Sequence, residues 1–448
     1  MNAHMEIKLP YQVENIISRL EQNGFEAYAV GGCVRDSLLG LEPNDWDVTT
    51  SAPPEKAEKC LENYKIIETG LKHGTITAVA DSMPVEITTY RIDGEYSDNR
   101  HPDKVEFTKS LREDLARRDF TVNSMAYSSS SGIIDYFTGM DDLNRKIIRC
   151  VGAPGRRFNE DGLRILRALR FASVLGFSIE NETSKQINEN KGLLDGIARE
   201  RVREEFTKLL CGKNAAAVLQ NYRGVIAVFI PEIKACFGFK QNNPHHIYDV
   251  WEHILKATEN IETEPVLRLT MFFHDIGKPL CYTEGPDGVG HFYGHAGISA
   301  KIAQEVLKRL RYSRRFSETV TTLVKLHSIP VAADEKAVKR RLNKIGEENF
   351  RLLLKVKAAD TKAKSPMCLS QLGVLKETGA TLDNITREKK CFTQRELAVN
   401  GFDLMSAGFP EGKGIGDTLR ALLDAVIDGK CKNTREELLK YAEKYKKQ

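Results

Sequence analysis

The chain opens with hydrophobic residues at two different spacings. A helical period is set by four apolar positions: Val13, Ile16, Ile17 and Leu20. We therefore predict an amphipathic helix within residues 1–24. A short apolar run follows at 27–30, and alternating apolar residues return at 74–79 and 85–90 on either side of a polar turn. These runs predict a strand and then a β-hairpin, so a sheet forms the first part of the chain.

A helical pattern over residues 160–172 has two distinct faces. The apolar face carries Leu163, Leu166, Leu169 and Val174. The polar stripe carries Asp161, Arg164, Arg167 and Arg170, which recur every three residues. One continuous helix is predicted here. Two further helix starts are predicted from capping residues, at Ser51 before a proline pair and at Thr434, where a capping box includes Glu437.

Composition narrows the class of protein. The 448 residues are 41% hydrophobic and 29% charged, which is typical of a soluble protein of two to four domains. No apolar run approaches the ~20 residues that span a membrane, and the N-terminus lacks a signal-peptide pattern. Nine scattered cysteines without Cys-x-x-Cys pairs favour reduced thiols and a cytoplasmic protein. A net charge of +4 identifies no partner, and the sequence does not determine the oligomeric state.

A glycine pair followed by two aspartates is the first candidate site. Gly31 and Gly32 come after the apolar run at 27–30 and allow the backbone to lie close to a phosphate. Asp45 and Asp47 would project from one face of a second strand. Two such charges about 5 Å apart repel by roughly 3 kcal/mol at an effective dielectric of ~20. A divalent cation between them, with Mg²⁺ the natural candidate, removes this repulsion.

Two arginine-rich segments offer contacts to a nucleotide. Arg117 and Arg118 suit triphosphate or ribose, because guanidinium groups bind phosphate oxygens in pairs. The carboxylate of Asp161 and the guanidinium of Arg164 could read the Watson–Crick edge of cytosine or adenine, where an amino donor lies beside an acceptor. Ion pairs on a solvated helix surface are the alternative explanation for both segments.

These motifs together resemble the class II CCA-adding tRNA nucleotidyltransferases and bacterial poly(A) polymerases. The resemblance is carried by Gly31-Gly32-Cys33-Val34-Arg35-Asp36 with Asp45-Trp46-Asp47, by Arg117-Arg118-Asp119-Phe120 with Asn123, and by Glu160-Asp161-x-x-Arg164. It implies an α/β nucleotidyltransferase head with a mixed sheet plus helices, followed by an all-α neck, HD body and tail. The implied boundaries are 1–145, 146–235, 236–365 and 366–448.

The resemblance also implies an activity and a site. The activity is template-independent addition of CCA to the tRNA 3′ end from CTP and ATP, with two Mg²⁺ ions and release of pyrophosphate. The implied roles cover ten residues: Asp45, Asp47 and Glu86 as catalytic carboxylates, Gly32, Arg35 and Arg118 on triphosphate or ribose, Asp161 and Arg164 selecting the base, and Arg167 and Arg170 orienting it. The polar segment 91–106 resembles a flexible loop associated with adding the final A, and residues from 401 onward resemble a tail that holds the tRNA elbow.

Seven of the ten histidines fall between residues 245 and 327. With the His274-Asp275 pair and Asp360, this stretch resembles the HD-domain superfamily of metal-dependent phosphohydrolases. The resemblance implies a divalent metal on four ligands: His253, His274, Asp275 and Asp360. His295 and His327 could hold a second metal or a substrate phosphate.

Several alternatives remain open from the sequence. An A-adding enzyme or a bacterial poly(A) polymerase shares the head and neck motifs. A phosphohydrolase with a vestigial head is a candidate of a different class, and so is a scaffold that binds RNA without turnover.

Overall fold

The first half of the chain is built on a mixed β-sheet, and the second half is helical. The structure is a computed structural model that describes residues 6–94 and 105–446. The strands are β1 (Ala27–Val30), β2 (Trp46–Thr50), β3 (Lys65–Gly70), β4 (Thr75–Ala80), β5 (Met83–Thr89), β6 (Arg91–Asp93), β7 (Val105–Phe107), β8 (Met125–Ser128), β9 (Gly132–Asp135), β10 (Ile147–Ile148), β11 (Ser178–Ile179), β12 (Thr283–Glu284) and β13 (Gly290–His291).

Twenty α-helices surround and follow the sheet in the described residues. They are α1 (Tyr11–Gln22), α2 (Gly32–Leu38), α3 (Pro54–Cys60), α4 (Leu111–Ala116), α5 (Gly139–Asn144), α6 (Pro154–Glu160), α7 (Leu163–Leu175), α8 (Asn181–Glu189), α9 (Arg199–Leu210), α10 (Ala215–Asn221), α11 (Arg223–Phe229), α12 (Val250–Glu259), α13 (Pro265–Phe273), α14 (His295–Arg309), α15 (Arg314–Leu326), α16 (Glu335–Lys362), α17 (Gln371–Arg387), α18 (Gly401–Ser406), α19 (Lys413–Ile427) and α20 (Arg435–Ala442). None of these helices is long and apolar enough to cross a membrane.

The seven-stranded sheet runs in the order β3-β4-β5-β2-β1-β8-β9. Its only parallel pair among the described strands is β2 with β5, which makes the sheet mixed as predicted. The predicted hairpin is confirmed as β4 and β5, joined by Asp81 and Ser82 with positive φ angles. The predicted amphipathic helix is confirmed as α1, and its four apolar residues are buried.

Two compact units divide the chain, Met1–Pro231 and Glu232–Gln448. The first contains the sheet and α1 to α11, and the second is helical. Within the second unit, a separate hydrophobic cluster holds the tail together from Cys391 to Ala442. The predicted order of an α/β head and then helical segments is confirmed, with two small additions: β10 pairs with β11, and β12 with β13. The four-part division remains a prediction.

Several local predictions are wrong. Residues 160–172 do not form one helix, because α6 ends at Glu160 and Asp161 has extended angles before α7 begins. Val174 is 44% exposed rather than buried, whereas Leu163, Leu166 and Leu169 are buried.

Both predicted cap interactions are also wrong. Pro53, not Ser51, occupies the N-cap position of α3 and makes no side-chain cap bond, and the Ser51 hydroxyl accepts a hydrogen bond from the Glu26 amide. Thr434 precedes α20 but its side chain makes no cap hydrogen bond, and Glu437 accepts from the Lys432 amide instead. In each case a side chain predicted to cap the helix, Ser51 or Glu437, accepts a hydrogen bond from a backbone amide outside the helix instead.

The predicted flexible loop over 91–106 lies largely outside the described residues, because 95–104 are not described. The two described ends of this segment are not loop, because β6 and β7 pair there as antiparallel strands.

Candidate functional site

A glycine pair joins β1 to α2 beside a polar cavity in the first unit. Gly31 has a φ of 86°, and a Cβ there would lie 3.0 Å from Nη1 of Arg118. The positive φ favours glycine at this position, and a Cβ would crowd the guanidinium. Gly32 begins α2, which also carries Arg35. The turn therefore brings the backbone and two arginine side chains to one wall of the cavity.

The predicted catalytic carboxylates lie on β2, on β5 and directly before β2. Asp47 is the register partner of Glu86 in the parallel strand pair, and Asp45 immediately precedes β2. Burial raises the pKa of Asp47 to about 6. Arg118 opposes the rise, and the charges of Asp45 and Glu86 add to it. A partly buried carboxylate beside two others fits a divalent cation, and Mg²⁺ needs only one or two carboxylates besides water and phosphate.

Cation binding at these carboxylates is expected to depend on pH around pH 6. The raised pKa means that Asp47 holds its proton below about pH 6, so a cation must displace it there. Above that pH the group is already ionised and the affinity is flat. The apparent Kd for Mn²⁺ should rise about tenfold per pH unit below pH 6. Calorimetric titration measures this in an Asp275→Asn background, which removes a carboxylate from the other candidate metal-binding cluster, in the second unit. A Kd independent of pH would contradict the assignment.

One buried carboxylate holds the two arginines that follow α4. Asp114 is fully buried and contacts Nη2 of Arg117 at 2.8 Å and Nη2 of Arg118 at 3.6 Å. The Arg35 guanidinium lies 4.9 Å from the ring centroid of Phe171 and donates a hydrogen bond to Asn123. These contacts fix the arginines before any ligand binds, which reduces the entropy cost of binding phosphate.

The two residues predicted to select the base are both held by partners. Asp161 Oδ2 contacts Nη2 of Arg201 at 2.8 Å, across 40 residues of sequence. Arg164 is 8% exposed, and its Nη1 contacts Oε2 of Glu160 at 2.7 Å. Nη2 of Arg164 donates to the backbone carbonyl of Arg117 at 3.0 Å. Both side chains, Asp161 and Arg164, are therefore held in place by hydrogen bonds and ion pairs, although the helix is interrupted at Asp161.

The remaining arginines of the stripe pair with buried acids rather than with solvent. Arg167 Nη2 lies 2.6 Å from Oδ2 of Asp119, and Arg170 Nε lies 2.8 Å from Oε2 of Glu205. Burial of Asp119 disfavours its charge, but Arg167, the hydrogen bond from Asn123 and the charge of Arg164 together outweigh this and lower the pKa of Asp119 to about 2. Arg170 also lies 4.1 Å from the ring centroid of Phe171. The interpretation of this stripe as a solvated helix face is wrong.

Replacing Asp119 by Asn should destabilise the first unit by about 2–4 kcal/mol, because it leaves Arg167 with only its longer contact to Glu205, at 3.8 Å. Urea denaturation followed by circular dichroism measures this. The matched control is Glu204→Gln, which removes an exposed ion pair to Arg203 and should cost less than about 1 kcal/mol. Equal effects of the two substitutions would show that Asp119 is not a buried structural anion.

These groups line one cavity of about 480 Å³. Its lining residues are Gly31, Gly32, Arg35, Asp45, Asp47, Arg117, Arg118, Asp119, Asn123, Asp161, Arg164, Arg167, Arg170, Phe171 and Lys208. Of the ten predicted head and neck site residues, Glu86 alone is outside this lining, although its charge contributes to the raised pKa of its neighbour Asp47. Sequence reasoning missed Lys208 and the role of Phe171, because neither belongs to a charged motif that points at the cavity.

The second unit brings together the six predicted metal-binding side chains. His253 lies on α12, His274 and Asp275 follow α13, and Asp360 lies on α16. His295 begins α14, and His327 directly follows α15. Five separate helices or helix ends thus converge on one buried cluster.

Short distances join these side chains. Nε2 of His253 lies 3.2 Å from Oδ2 of Asp275 and 3.1 Å from Oδ1 of Asp360. Nε2 of both His295 and His327 lies 3.3 Å from Oδ1 of Asp275. In the described part of the chain, two groups bring three ligand atoms within 4.8 Å, and they share Asp275: His253, His274 and Asp275; and Asp275, His295 and His327. Imidazole and carboxylate together suit a transition metal.

Two lysines and a small cavity adjoin this cluster. Lys278 Nζ contacts Oδ2 of Asp275, and Lys364 Nζ contacts Oδ2 of Asp360, each at 2.6 Å. A cavity of about 250 Å³ opens onto the cluster and is lined by both lysines. The buried ammonium of Lys278 and the half-buried ammonium of Lys364 favour an anionic ligand at this cavity.

Comparisons with known proteins match the first and last parts of the chain to named families. Residues 27–149 match the family model Poly A polymerase head domain, and residues 291–442 match tRNA nucleotidyltransferase domain 2. Residues 176–237 match the model described as "Probable RNA and SrmB- binding site of polymerase A".

Proteins that are similar to this chain over most of its length are named CCA-adding enzymes. The chain is 32% identical over 434 residues to the CCA-adding enzyme of Lactobacillus delbrueckii subsp. bulgaricus, covering 96% of each chain. It is 32% identical over 430 residues to the CCA-adding enzyme of Enterococcus faecalis, covering 96% of this chain and 94% of that one. A crystal structure of the Bacillus stearothermophilus CCA-adding enzyme in complex with CTP superimposes with a TM-score of 0.73, at 30% identity and 97% coverage of both chains.

Proposed function

Because this chain belongs to the family of CCA-adding enzymes, we propose that it adds C, C and A to the 3′ end of tRNA from CTP and ATP and releases pyrophosphate. The observation that carries this proposal is the single cavity in which carboxylates, arginines and the Asp161–Arg164 pair meet. A cytoplasmic location is part of the proposal, because tRNA is processed and used there.

The family depends on divalent metal, and we assign the metal site to the head carboxylates. Asp45 and Asp47 would hold two Mg²⁺ ions, with Glu86 adding negative charge beside Asp47. When bound there, the ions supply Lewis-acid charge for the attacking 3′-hydroxyl and for the departing pyrophosphate. Asp47 is ionised at neutral pH, because its raised pKa of about 6 still lies below 7.

The arginines and the glycine turn bind the nucleoside triphosphate. Arg118, held by Asp114 and facing Gly31, is placed to bind phosphate oxygens in pairs. Arg35 lies on the same wall and would contact triphosphate or ribose together with the backbone at Gly32. Because both guanidiniums are already fixed, binding of the triphosphate orders few additional side chains.

Asp161 and Arg164 select the base, with Arg201 and Glu160 keeping them in place. The carboxylate accepts from an amino group, and the guanidinium donates to the neighbouring ring nitrogen or oxygen. Cytosine and adenine offer this donor beside an acceptor, whereas uracil and guanine do not. Arg167 and Arg170 flank the Phe171 ring and would orient the base and phosphates.

A primer-extension experiment tests this function and separates it from its relatives. Transcripts of tRNA that end at the discriminator base, at C or at CC are incubated with each nucleoside triphosphate separately. Addition of C, C and A in order, with termination at A, is the expected result. Addition of A only to the CC end would indicate an A-adding enzyme, and open-ended addition of A a poly(A) polymerase.

A second function is proposed for the histidine cluster: metal-dependent hydrolysis of a phosphoester. The buried convergence of His253, His274, Asp275 and Asp360 supports it, and Lys278 adjoins the cluster to bind an anionic substrate. Hydrolysis of p-nitrophenyl phosphate with Mn²⁺, Co²⁺ or Ni²⁺ should be detectable.

The two functions are separable by substitution. Asp275→Asn should abolish hydrolysis, and the double substitution Asp45→Ala/Asp47→Ala should leave it unchanged. Absence of hydrolysis with every metal would favour a scaffold role for this domain, which was one of the alternatives left open by the sequence.

A further inference from the structure

Arg157 lies on α6 and does not line the cavity of about 480 Å³ in the first unit. Its side chain is only 14% exposed. Its Nε donates to the backbone carbonyl of Val151 at 2.9 Å, its Nη1 to Oε2 of Glu160 at 2.7 Å, and its Nη2 to the backbone carbonyl of Ala116. A guanidinium offers five N–H donors in a planar fork, so this one side chain holds three separate places of the chain together.

Two features of Arg157 hold Arg164, one of the two residues proposed to select the base. Oε2 of Glu160 accepts from Nη1 of Arg157 and from Nη1 of Arg164, in both cases at 2.7 Å. Nη1 of Arg164 also donates to the backbone carbonyl of Arg157 at 3.1 Å. Arg157 therefore shares a carboxylate with Arg164 and supplies it with an acceptor, which restricts where the Arg164 guanidinium can lie.

The remaining Nη of Arg157 contacts the C-terminal end of α4. The carbonyl of Ala116, the last residue of this helix, accepts from Arg157, and the carbonyl of Arg117 accepts from Nη2 of Arg164 at 3.0 Å. The last carbonyls of a helix have no partner within the helix and carry partial negative charge, so cationic donors stabilise this end. Arg118, which the proposed function places on the triphosphate, is the next residue along the chain.

We propose that Arg157 is a positioning residue that couples selection of the base to binding of the triphosphate. The same guanidinium holds Arg164 on one side and the end of α4 that leads into Arg118 on the other. A base that satisfies Asp161 and Arg164 leaves these hydrogen bonds intact and Arg118 in place for the phosphates. A base that displaces Arg164 would also disturb Arg118, because both depend on Arg157.

The inference rests on the proposed addition of CCA, since it concerns the same cavity. It adds a residue that does not touch the nucleotide and gives it a role in the choice of nucleotide. A residue that only stabilised the fold would lower the amount of active protein and would change neither the affinity for phosphate nor the preference for one base.

Two kinetic measurements on the full chain separate the two sides of this network. Inorganic triphosphate, used as an inhibitor of CMP incorporation into a transcript that lacks CCA, reports on the phosphate side through its Ki. The ratio of kcat/KM for CTP to that for UTP reports on the base side. Arg157→Met removes every N–H donor of the side chain. It should raise the Ki about tenfold and lower the ratio about tenfold, which is within the usual range of a coupling between two sites.

Two further variants control for stability and for charge. Arg156→Met alters the neighbouring arginine, which is 78% exposed and contacts the other oxygen of Glu160 at 3.2 Å, and it should change neither quantity. Arg157→Lys keeps the positive charge at the end of α4 but lacks the fork, so it should recover part of both losses. Circular dichroism melting shows whether each variant is folded. If Arg157→Met does not fold, Arg157→Lys decides, with a smaller change expected in both quantities.

The outcomes distinguish this coupling from the proposed function. Parallel changes in the Ki and in the ratio, with partial recovery in Arg157→Lys, would support the coupling. A change in only one quantity, or an equal fall in kcat for CTP and UTP with an unchanged Ki, would overturn it while leaving CCA addition intact. A parent chain that adds no C to the transcript would overturn the proposed function itself, and the coupling with it.

Discussion

Replacing Asp47 with Asn is expected to abolish nucleotide addition to tRNA, lowering kcat by about 10³-fold or more. The substitution keeps the size of the side chain but removes the charge that would hold the catalytic ions. Several kcal/mol of transition-state stabilisation depend on that charge, and each 1.36 kcal/mol corresponds to a factor of about ten in rate. Single-turnover incorporation of CMP into a transcript that lacks CCA measures the effect.

Two further variants and one further assay test whether the loss is specific to the catalytic carboxylates. Asp45→Asn should cause a loss of similar size, because both carboxylates belong to the same site. Glu42→Gln removes an exposed carboxylate three residues earlier and should leave the rate unchanged. Hydrolysis at the histidine cluster should also be unchanged, which shows that the protein is folded. Retained nucleotide addition by the Asp47 variant would refute the catalytic assignment.

The main elements of the head could be predicted from the sequence because the patterns that indicate them are local. The helical period of α1, the alternation of β4 and β5, and the Gly31–Gly32 turn each lie within about a dozen residues, where spacing alone identifies the element. The register that sets Glu86 beside Asp47 is different, since it joins strands that are distant in sequence. Periodicity cannot give such a register.

The partners of the charged side chains could not be predicted for the same reason. Arg201 contacts Asp161 across 40 residues, and Arg167 contacts Asp119 across 48. A three-residue repeat of charge is compatible with a solvated face and with a buried network alike. Only the fold, which packs α7 against α9 and against the segment after α4, decides between them. The break at Asp161 was also hidden, because Gly162 is the only local signal that interrupts the helical pattern.

Replacing Asp161 with Ala is expected to relax the choice of nucleotide more than it weakens binding of the triphosphate. In the proposed function the carboxylate accepts from the amino group of cytosine or adenine, and uracil offers no donor at that position. The ratio of kcat/KM for CTP to that for UTP should fall by about 10–100-fold, which corresponds to loss of one directional base contact. Most of the fall should come from a lower kcat/KM for CTP, because UTP lacks the amino group that the carboxylate is proposed to bind. Incorporation assays with each nucleotide on the same transcript measure both constants.

Arg201→Ala provides the control that distinguishes a base-reading residue from its support. Arg201 contacts Asp161 at 2.8 Å and does not line the cavity, so its loss should free the carboxylate without removing it. A smaller fall in the same ratio is therefore expected, with KM for the tRNA unchanged. The conservative variant Arg201→Lys should restore part of the selectivity, since it keeps the charge but not the forked geometry. Equal losses for CTP and UTP in the Asp161 variant would show that the carboxylate serves the fold rather than the base.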